Sequence, residues 1–241
     1  MKTKVFVLLL TALVFPAFAG ASDDAIRALF EGKLNGKIEQ INKAPIAGLY
    51  EVVVDGQFMY VDEKANYFIA GSLVETKTMK NITAEKKAAL ADNKLGQLPY
   101  ENALKHVNGN GKRVLVTFED PNCGYCKKLW KEELKQVKDV TIYTFLIPII
   151  GGQDSVDKNK AIWCAGDRAK SWFDWMTNGV IPVAAAGGKC DAGPVMDKNL
   201  KLSQSLGIRG TPFIYFPASK QQVGGYIPIA EIEKALTKSG G

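Results

Sequence analysis

The motif Cys-Gly-Tyr-Cys, residues 123–126, is the segment whose residue types and spacing are best suited to chemistry. Two thiols this close can hold a metal ion, form a small structural disulfide, or exchange disulfides with another protein. A zinc site needs four ligands, usually as two close pairs, but Cys164 and Cys190 stand apart in the chain and His106 is the only histidine. His106 also lies in a polar segment, where a surface position is expected. We therefore predict no metal site and no catalytic role for His106.

A redox pair fits the flanking sequence better than a purely structural disulfide. A disulfide that closes so short a loop removes little conformational entropy from the unfolded chain. The apolar run RVLVTFED precedes the motif and the helix-like run CKKLWKEELKQV overlaps its end, so Cys123 is predicted at a helix N-terminus, where free N–H groups favour a thiolate. We expect Cys123 to be ionised and accessible to solvent, with Cys126 buried one turn deeper.

Charged residues on both sides of the motif act on this thiolate in opposite directions. Lys127 and Lys128 add positive charge, whereas Glu119 and Asp120 work against it. The direction in which the two carboxylates point is left open by the sequence.

A second element accompanies the cysteine pair. The segment IRGTPFIYF places Thr211 and Pro212 directly before an apolar strand. Proline cannot donate a hydrogen bond within a sheet, so it belongs at a strand start or in a turn. A cis bond between these residues would bring backbone groups beside the sulfur pair, although Thr-Pro on its own is common and mostly structural.

The first 21 residues have the layout of a secretory signal peptide. Lys2 and Lys4 precede the apolar stretch VFVLLLTALVF, and the small residues of PAFAGA follow. The apolar stretch is shorter than the ~20 residues of a membrane-spanning helix. We expect cleavage after residue 19 or after residue 21, and an exported, soluble product. In an oxidising compartment the four cysteines allow three disulfide pairings, of which the close pair plus the distant pair is the simplest.

The overall composition is that of an ordinary globular protein. Of the 241 residues, 46% are hydrophobic and 23% are charged, and the net charge is +6. Acidic residues are interspersed with the basic ones and no basic tract or recognition motif occurs, so we expect no nucleic-acid partner. The loop NGNGK lacks the spacing of a phosphate-binding loop.

Hydrophobic periodicity divides the mature chain into three parts. Residues 22–81 read as a strand-rich unit with a hairpin at Asp55-Gly56; so small a sheet leaves edges open, to be covered by a second copy or by the rest of the chain. Residues 82–107 read as a helical linker, with Thr83 as N-cap and a second short helix in YENALKHV. Residues 108–241 alternate strands and helices, with a mostly helical stretch at 155–187, which predicts an α/β domain.

A strand, a Cys-X-X-Cys motif at a helix start and a later Gly-Thr-Pro before a strand resemble the thioredoxin fold. With the signal peptide, the strand-rich unit, the linker and the sequence CGYC, the chain resembles the periplasmic thiol:disulfide interchange proteins of the DsbC and DsbG type over nearly all its mature length. The motifs FEDPNCGYCKKL and GIRGTPFIYF carry the resemblance most specifically. It implies a thioredoxin-like catalytic domain with inserted helices, preceded by a small strand-rich dimerisation domain and a helical linker.

The resemblance also implies a role for each candidate residue. Cys123 matches the nucleophile of the family and Cys126 its resolving cysteine. Cys164 and Cys190 match a second, structural disulfide, which would close a loop long enough to contribute ~3 kcal/mol. The substrate-binding surface is assigned to Gly124, Tyr125, Thr211 and Pro212.

The activity implied is that of a periplasmic protein disulfide isomerase or reductase with chaperone activity, acting on unfolded or misoxidised secreted proteins. The family forms homodimers through the N-terminal domains, with the active sites facing a central cleft. It receives electrons from a membrane protein of DsbD type and needs no bound cofactor. Two alternatives stay open: a dedicated reductant or oxidase of the same fold, and a chaperone whose cysteines are incidental.

In one respect the sequence departs from many thioredoxins, which carry a buried acid on the strand before the motif. Six residues before Cys123 this chain has Thr117. The general base for Cys126 is therefore left unassigned by the sequence, and water or backbone groups are the alternatives.

Overall fold

The computed structural model describes residues 21–187 and 189–237. The predicted signal peptide lies outside these residues except for its last residue, Ala21. Within the described ranges, no helix combines the length and the apolar character needed to cross a bilayer. Two compact units are present: residues 21–54 with Met59–Gly71, and Asp55–Phe58 with residues 72–237.

The first unit is built on a four-stranded sheet. A helix that the sequence did not predict, α1 (Ala21–Arg27), continues into a π-helical turn (Ala28–Lys33). The strands follow in the spatial order β1-β2-β3-β4: β1 (Ile38–Lys43), β2 (Leu49–Val54), β3 (Gln57–Asp62) and β4 (Phe68–Ile69). Its buried core consists of Ile26, Phe30, Val52, Val54 and Val61.

The predicted hairpin at Asp55-Gly56 is confirmed between β2 and β3. Asp55 has φ 49° and Gly56 has φ 77°. A two-residue hairpin loop of this kind needs positive φ at both positions, which aspartate tolerates and glycine adopts without strain.

The second unit is an α/β domain around a five-stranded sheet of order β11-β10-β8-β9-β7. Strands β8 and β9 are parallel, and the other neighbours are antiparallel. Its elements in chain order are β5 (Val74–Glu75), β6 (Lys80–Asn81), α2 (Ile82–Leu95), β7 (Leu104–Asn108), β8 (Arg113–Glu119), α3 (Gly124–Lys128), β9 (Val140–Leu146), α4 (Gln153–Trp163), α5 (Arg168–Asn178), α6 (Gly193–Ser205), β10 (Phe213–Phe216), β11 (Gln221–Gly224) and α7 (Ile229–Thr237). Helix α3 continues as a π-helical turn (Leu129–Glu133) and a 3-10 turn (Leu134–Gln136).

Each face of this sheet is covered by its own hydrophobic cluster. Because successive side chains of a strand point to opposite faces, Leu115 of β8 packs with Cys123, Cys126 and Trp130. Its neighbour Val116 packs on the other face with Phe118, Phe145 and Ile208. The cysteine pair therefore sits on one defined face of β8.

Three sequence-based expectations about local structure are wrong. The segment YENALKHV holds a 3-10 turn (Tyr100–Asn102) and then β7, whose residues pair with β9. Pairing along a full sheet edge outweighs the weak helical pattern of this short segment. The sheet thus begins inside the segment predicted to be linker.

The predicted N-cap of α2 is displaced by two residues. Asn81, not Thr83, caps the helix, and its Oδ1 accepts a hydrogen bond of 2.9 Å from Ala84 N. Thr83 is buried instead, and its Oγ1 accepts a hydrogen bond of 2.8 Å from Leu73 N.

The predicted helical stretch 155–187 is only partly helical. Helix α5 ends at Gly179, whose φ of 71° is left-handed, and residues 180–187 form no helix. Helix α6, which the sequence pattern did not reveal, follows further along the chain.

Candidate active site

The two cysteines of the motif occupy the first turn of α3. Cys123 is the N-cap residue, and its Sγ accepts a hydrogen bond of 3.1 Å from Cys126 N. Both cysteines are free thiols. Cys123 Sγ also lies 3.3 Å from the backbone oxygen of Thr211, to which the protonated thiol donates, and the peptide bond between Thr211 and Pro212 is cis. The strand end, the helix start and the Thr-Pro loop thus meet at one sulfur.

Hydrogen bonds make Cys123 an unusually acidic thiol. Its pKa is lowered from 9.0 to about 6, mainly by a hydrogen bond from the Cys126 side chain. Burial opposes this shift, while the backbone N–H groups of Cys126 and Tyr125 reinforce it. Donors directed at a sulfur stabilise its charged form, so Cys123 is a thiolate at neutral pH.

The pKa of Cys126 is shifted in the opposite direction. Burial, followed by the neighbouring sulfur of Cys123 and the charge of Glu119, raises the pKa of its thiol well above the ordinary value. The pair therefore divides into one sulfur that is ready to attack and one that holds its proton. This is the division that a nucleophilic and a resolving cysteine require.

The expectation that Cys123 is accessible to solvent is wrong. Its exposure is 1%, close to the 0% of Cys126. The Thr211 carbonyl lies against the sulfur, while Gly124 is exposed and Tyr125 is 66% exposed. The Gly-Tyr segment therefore forms the protein surface here, while the sulfur of Cys123 is buried.

The two lysines after the motif differ in their relation to the thiolate. Lys127 Nζ lies 4.0 Å from the centre of the Trp175 ring, and its charge interacts with that of Cys123. Lys128 Nζ instead lies 4.4 Å from the ring centre of Tyr226. Trp175 Nε1 donates to the backbone oxygen of Pro121 at 2.6 Å. One lysine and one indole thus adjoin the loop that carries Cys123.

Asp120 organises the loop before the motif, a role that sequence reasoning missed. It is fully buried, and Ser155 Oγ donates to its Oδ1 at 2.7 Å. Three backbone N–H groups also donate to its carboxylate, those of Asn122, Ile149 and Ile150, at 2.8, 2.8 and 2.9 Å. The carboxylate joins the end of β8 to the loop after β9.

Glu119 is the second acid whose direction the sequence left open. It is fully buried, and Trp130 Nε1 donates to both of its carboxylate oxygens, at 3.0 and 3.1 Å. Burial raises the pKa of its carboxyl from 4.5 to about 8. The alternation of strand residues could have revealed it, because Glu119 shares a face with Thr117.

The other two cysteines form a disulfide, and the histidine packs between aromatic rings. Cys164, directly after α4, forms a disulfide with Cys190, 26 residues further along the chain. The surface position expected for His106 is wrong. The residue is half-buried in β7, and burial lowers its pKa. Its ring stacks on Phe173 at 5.6 Å between centroids. No group of three or more metal-ligating side chains occurs within the described residues.

Two family models match the chain. A thioredoxin-like domain matches residues 100–240, and the N-terminal domain of disulfide bond isomerase proteins matches residues 17–84.

Individual thiol:disulfide interchange proteins are also similar to this chain in sequence or structure. A probable thiol:disulfide interchange protein DsbC of Bordetella pertussis is 40% identical over 214 residues, 88% of this chain and 74% of the relative. The thiol:disulfide interchange protein DsbC of Escherichia coli K12 is 28% identical over 235 residues, 97% of this chain and 95% of the relative. The crystal structure of a disulfide interchange protein from Neisseria gonorrhoeae superposes with TM-score 0.52 and 37% identity, covering 59% of this chain and 98% of its own.

Proposed function

The chain belongs to the DsbC family of thiol:disulfide interchange proteins, and from this premise we propose that it is a periplasmic protein disulfide isomerase acting on misoxidised secreted proteins. The observation that carries the proposal is the geometry at Cys123: its Sγ accepts a hydrogen bond of 3.1 Å from Cys126 N and lies 3.3 Å from the Thr211 oxygen, beside a cis peptide bond. The pKa shifts agree with it, down at Cys123 and up at Cys126. One sulfur is thereby a nucleophile at neutral pH while its partner waits as a thiol.

The exchange begins when the Cys123 thiolate attacks one sulfur of a wrong disulfide in the substrate. A bond forms between Cys123 and that sulfur, and the other substrate sulfur leaves as a thiolate. A different substrate thiolate then attacks the mixed disulfide, which forms a new substrate disulfide and returns Cys123 as a thiolate. The substrate has been rearranged without net oxidation or reduction.

A stalled mixed disulfide is released by the second cysteine. Cys126 attacks Cys123 Sγ, an internal disulfide forms, and the substrate leaves reduced by two electrons. The enzyme is then oxidised and needs an electron donor before it can isomerise again.

We assign substrate binding to the surface around the sulfur. Gly124 and Tyr125 are exposed beside it, and the backbone oxygen of Thr211 lies 3.3 Å from Cys123 Sγ. Ile149 and Ile150, held by Asp120, are 37% and 52% exposed. Exposed apolar and aromatic side chains next to a reactive thiol suit an unfolded chain as substrate. The disulfide between Cys164 and Cys190 is assigned a structural role.

The finer organisation is proposed by analogy with the family. Residues 22–81 form the dimerisation domain of a homodimer, and the catalytic domain begins with β7, earlier than residue 108. Residues 1–21 direct export to the periplasm and are removed there. A membrane protein of DsbD type reduces the Cys123–Cys126 disulfide, and the loss of that donor should leave the pair oxidised in cells, as thiol trapping would measure.

Refolding of scrambled ribonuclease tests the proposed function. The wild-type protein should restore ribonuclease activity, and Cys123→Ser should not, because it removes the attacking sulfur. Cys126→Ser is the matched control: it keeps the first attack and should accumulate mixed disulfides. Recovery at the wild-type rate with Cys123→Ser would assign the activity to binding instead of thiol exchange.

A further inference from the structure

Glu119 lies on the same face of β8 as the cysteine pair. Leu115 of this strand belongs to the cluster that holds both cysteines, and residues 117 and 119 point the same way because side chains alternate along a strand. Position 117, where many thioredoxins carry a buried acid, is a threonine in this chain. Glu119 is a buried acid two residues later, at the end of the strand that leads into the motif. Glu119 is 0% exposed.

The carboxyl of Glu119 is oriented by an indole and has no basic partner among the described residues that interact with it. Trp130 Nε1 donates to both oxygens, at 3.0 and 3.1 Å. The indole ring is itself buried and meets the rings of His106, Trp172 and Phe173, at 5.5, 6.5 and 6.1 Å between centroids. A neutral donor fixes the direction of the carboxyl without neutralising its charge.

The same carboxyl interacts with the thiol of Cys126. The neighbouring Cys126 side chain favours the carboxylate of Glu119, as does the hydrogen bond from Trp130. In return, the carboxylate charge is among the causes that keep Cys126 protonated. The charge of Cys123 also acts on Glu119, and His106 packs on the ring of Trp130.

Transfer of the proton from Cys126 to Glu119 avoids a repulsion between two negative charges. A free Cys126 thiolate beside a Glu119 carboxylate would place two negative charges in a buried site, which is costly. Transfer of the proton leaves one negative charge before and after, now on sulfur. The carboxyl, whose pKa is raised to about 8, is also close in proton affinity to a group that works near neutral pH.

We propose that Glu119 is the general base of the resolving step, taking the proton from Cys126 Sγ as that sulfur attacks the mixed disulfide at Cys123. The S–H bond of Cys126 breaks and its proton passes to a Glu119 oxygen. A bond forms between Cys126 and Cys123, the bond between Cys123 and the substrate sulfur breaks, and the substrate leaves as a thiolate. Two electrons pass to the substrate, and the proton on Glu119 returns to the departing thiolate or to solvent. This inference rests on the proposed function, because it describes one of its steps.

A reaction in two phases measures the attack by Cys123 and the resolution by Cys126 separately in the full-length protein. An aromatic disulfide reagent whose released thiol is coloured gives one equivalent when Cys123 attacks it and a second when Cys126 resolves the mixed disulfide. In Glu119→Gln the first phase should persist, whereas the second should slow by about 100-fold, the typical contribution of a general base. The second phase of the wild type should accelerate as the pH rises through the pKa of Glu119, which burial raises, and Glu119→Gln should lose that dependence.

The matched control is Glu133→Gln, a second buried glutamate, whose carboxylate accepts a hydrogen bond of 2.7 Å from Ile229 N outside the active site. It should leave both phases at the wild-type rate. A second phase in Glu119→Gln with the wild-type rate and pH profile overturns the inference and leaves the proposed function intact. Loss of the first phase in the wild type would instead overturn the proposed function.

A titration of the wild-type protein tests the inference even if Glu119→Gln does not fold. The carboxyl ¹³C resonance of Glu119 should titrate near pH 8 in the reduced protein, and Cys126→Ala should move that midpoint because it removes the thiol partner. A midpoint near the ordinary value of 4.5, or one that Cys126→Ala leaves unchanged, contradicts the inference.

Discussion

At the scale of single residues, the acidity of Cys123 comes from hydrogen bonds and is achieved despite burial. Its exposure of 1% would by itself raise the pKa of a thiol. The donors around it, first of all the Cys126 side chain, outweigh that penalty and bring the pKa to about 6. The acidity of Cys123 therefore depends as much on its neighbours as on its own position at the start of α3.

Removing the thiol of Cys126 should make Cys123 a weaker acid. In Cys126→Ala the pKa of Cys123 should rise from about 6 toward the ordinary 9.0, because its strongest donor is gone. The rate of alkylation by iodoacetamide, followed from pH 5 to 10, measures this midpoint. Cys126→Ser retains a donor at this position and is the control, with a midpoint close to that of the wild type. An unchanged midpoint in Cys126→Ala would refute this account of the acidity.

At the scale of elements, buried polar contacts hold the segment between β8 and α3. Asp120 receives four hydrogen bonds from the loop before the motif, from the loop after β9 and from α4. A second constraint is the disulfide that ties the end of α4 to the segment before α6. The hydrogen bonds of Asp120 and the disulfide each stabilise the fold by joining separate elements.

Asp120→Asn should destabilise the protein by about 3 kcal/mol or more, because one amide oxygen cannot accept all four buried donors. Chemical denaturation of the reduced protein measures the free energy of unfolding. Asp157→Asn is the matched control: this aspartate is exposed on α4 and accepts only a surface hydrogen bond from Gln153 Nε2. Equal free energies of unfolding for the two variants would contradict the role assigned to Asp120.

Loss of the disulfide should weaken the fold while sparing the chemistry. The double variant Cys164→Ser, Cys190→Ser should lose ~3 kcal/mol of unfolding free energy, because the unfolded chain regains the freedom of the closed loop. Thermal denaturation measures the loss. The two-phase reaction at Cys123 and Cys126 is the internal control and should keep its rates; a slowed first phase would show that the disulfide also shapes the active site.

At the scale of the whole molecule, the first unit leaves an apolar sheet edge uncovered. Strand β4 ends the order β1-β2-β3-β4, and Tyr67, Phe68 and Ile69 are 80%, 45% and 57% exposed. An open edge with exposed apolar side chains is a site for pairing with another chain. This observation supports the proposed homodimer.

Charge placed on this edge should separate the proposed dimer. The double variant Phe68→Lys, Ile69→Lys should sediment as a monomer, whereas the wild type should sediment with the mass of two chains, because like charges facing each other destabilise strand pairing. Ile181→Lys, at a 73% exposed residue of the second unit, is the control and should remain dimeric. A double variant that stays dimeric would locate the interface away from β4.

The sequence by itself determined the fold class of this protein and pointed to the residues proposed to react. Strands and helices alternate in its second half, the turn at Asp55-Gly56 follows from local backbone preferences, and the motif at residues 123–126 has spacing that suits a redox pair. These features are local, since they depend on residues a few positions apart.

Only the tertiary structure decided which groups surround the two sulfurs. The segment of strand β7 has a helix-like pattern in the sequence, and its pairing partner β9 is distant along the chain. The sequence could not show that Cys123 is buried or that Asp120 receives donors from three segments. Nor could it show that Glu119 shares a face of β8 with the cysteines. Burial and pKa depend on neighbours that the fold brings together from remote positions, and such neighbours have no signature in local spacing.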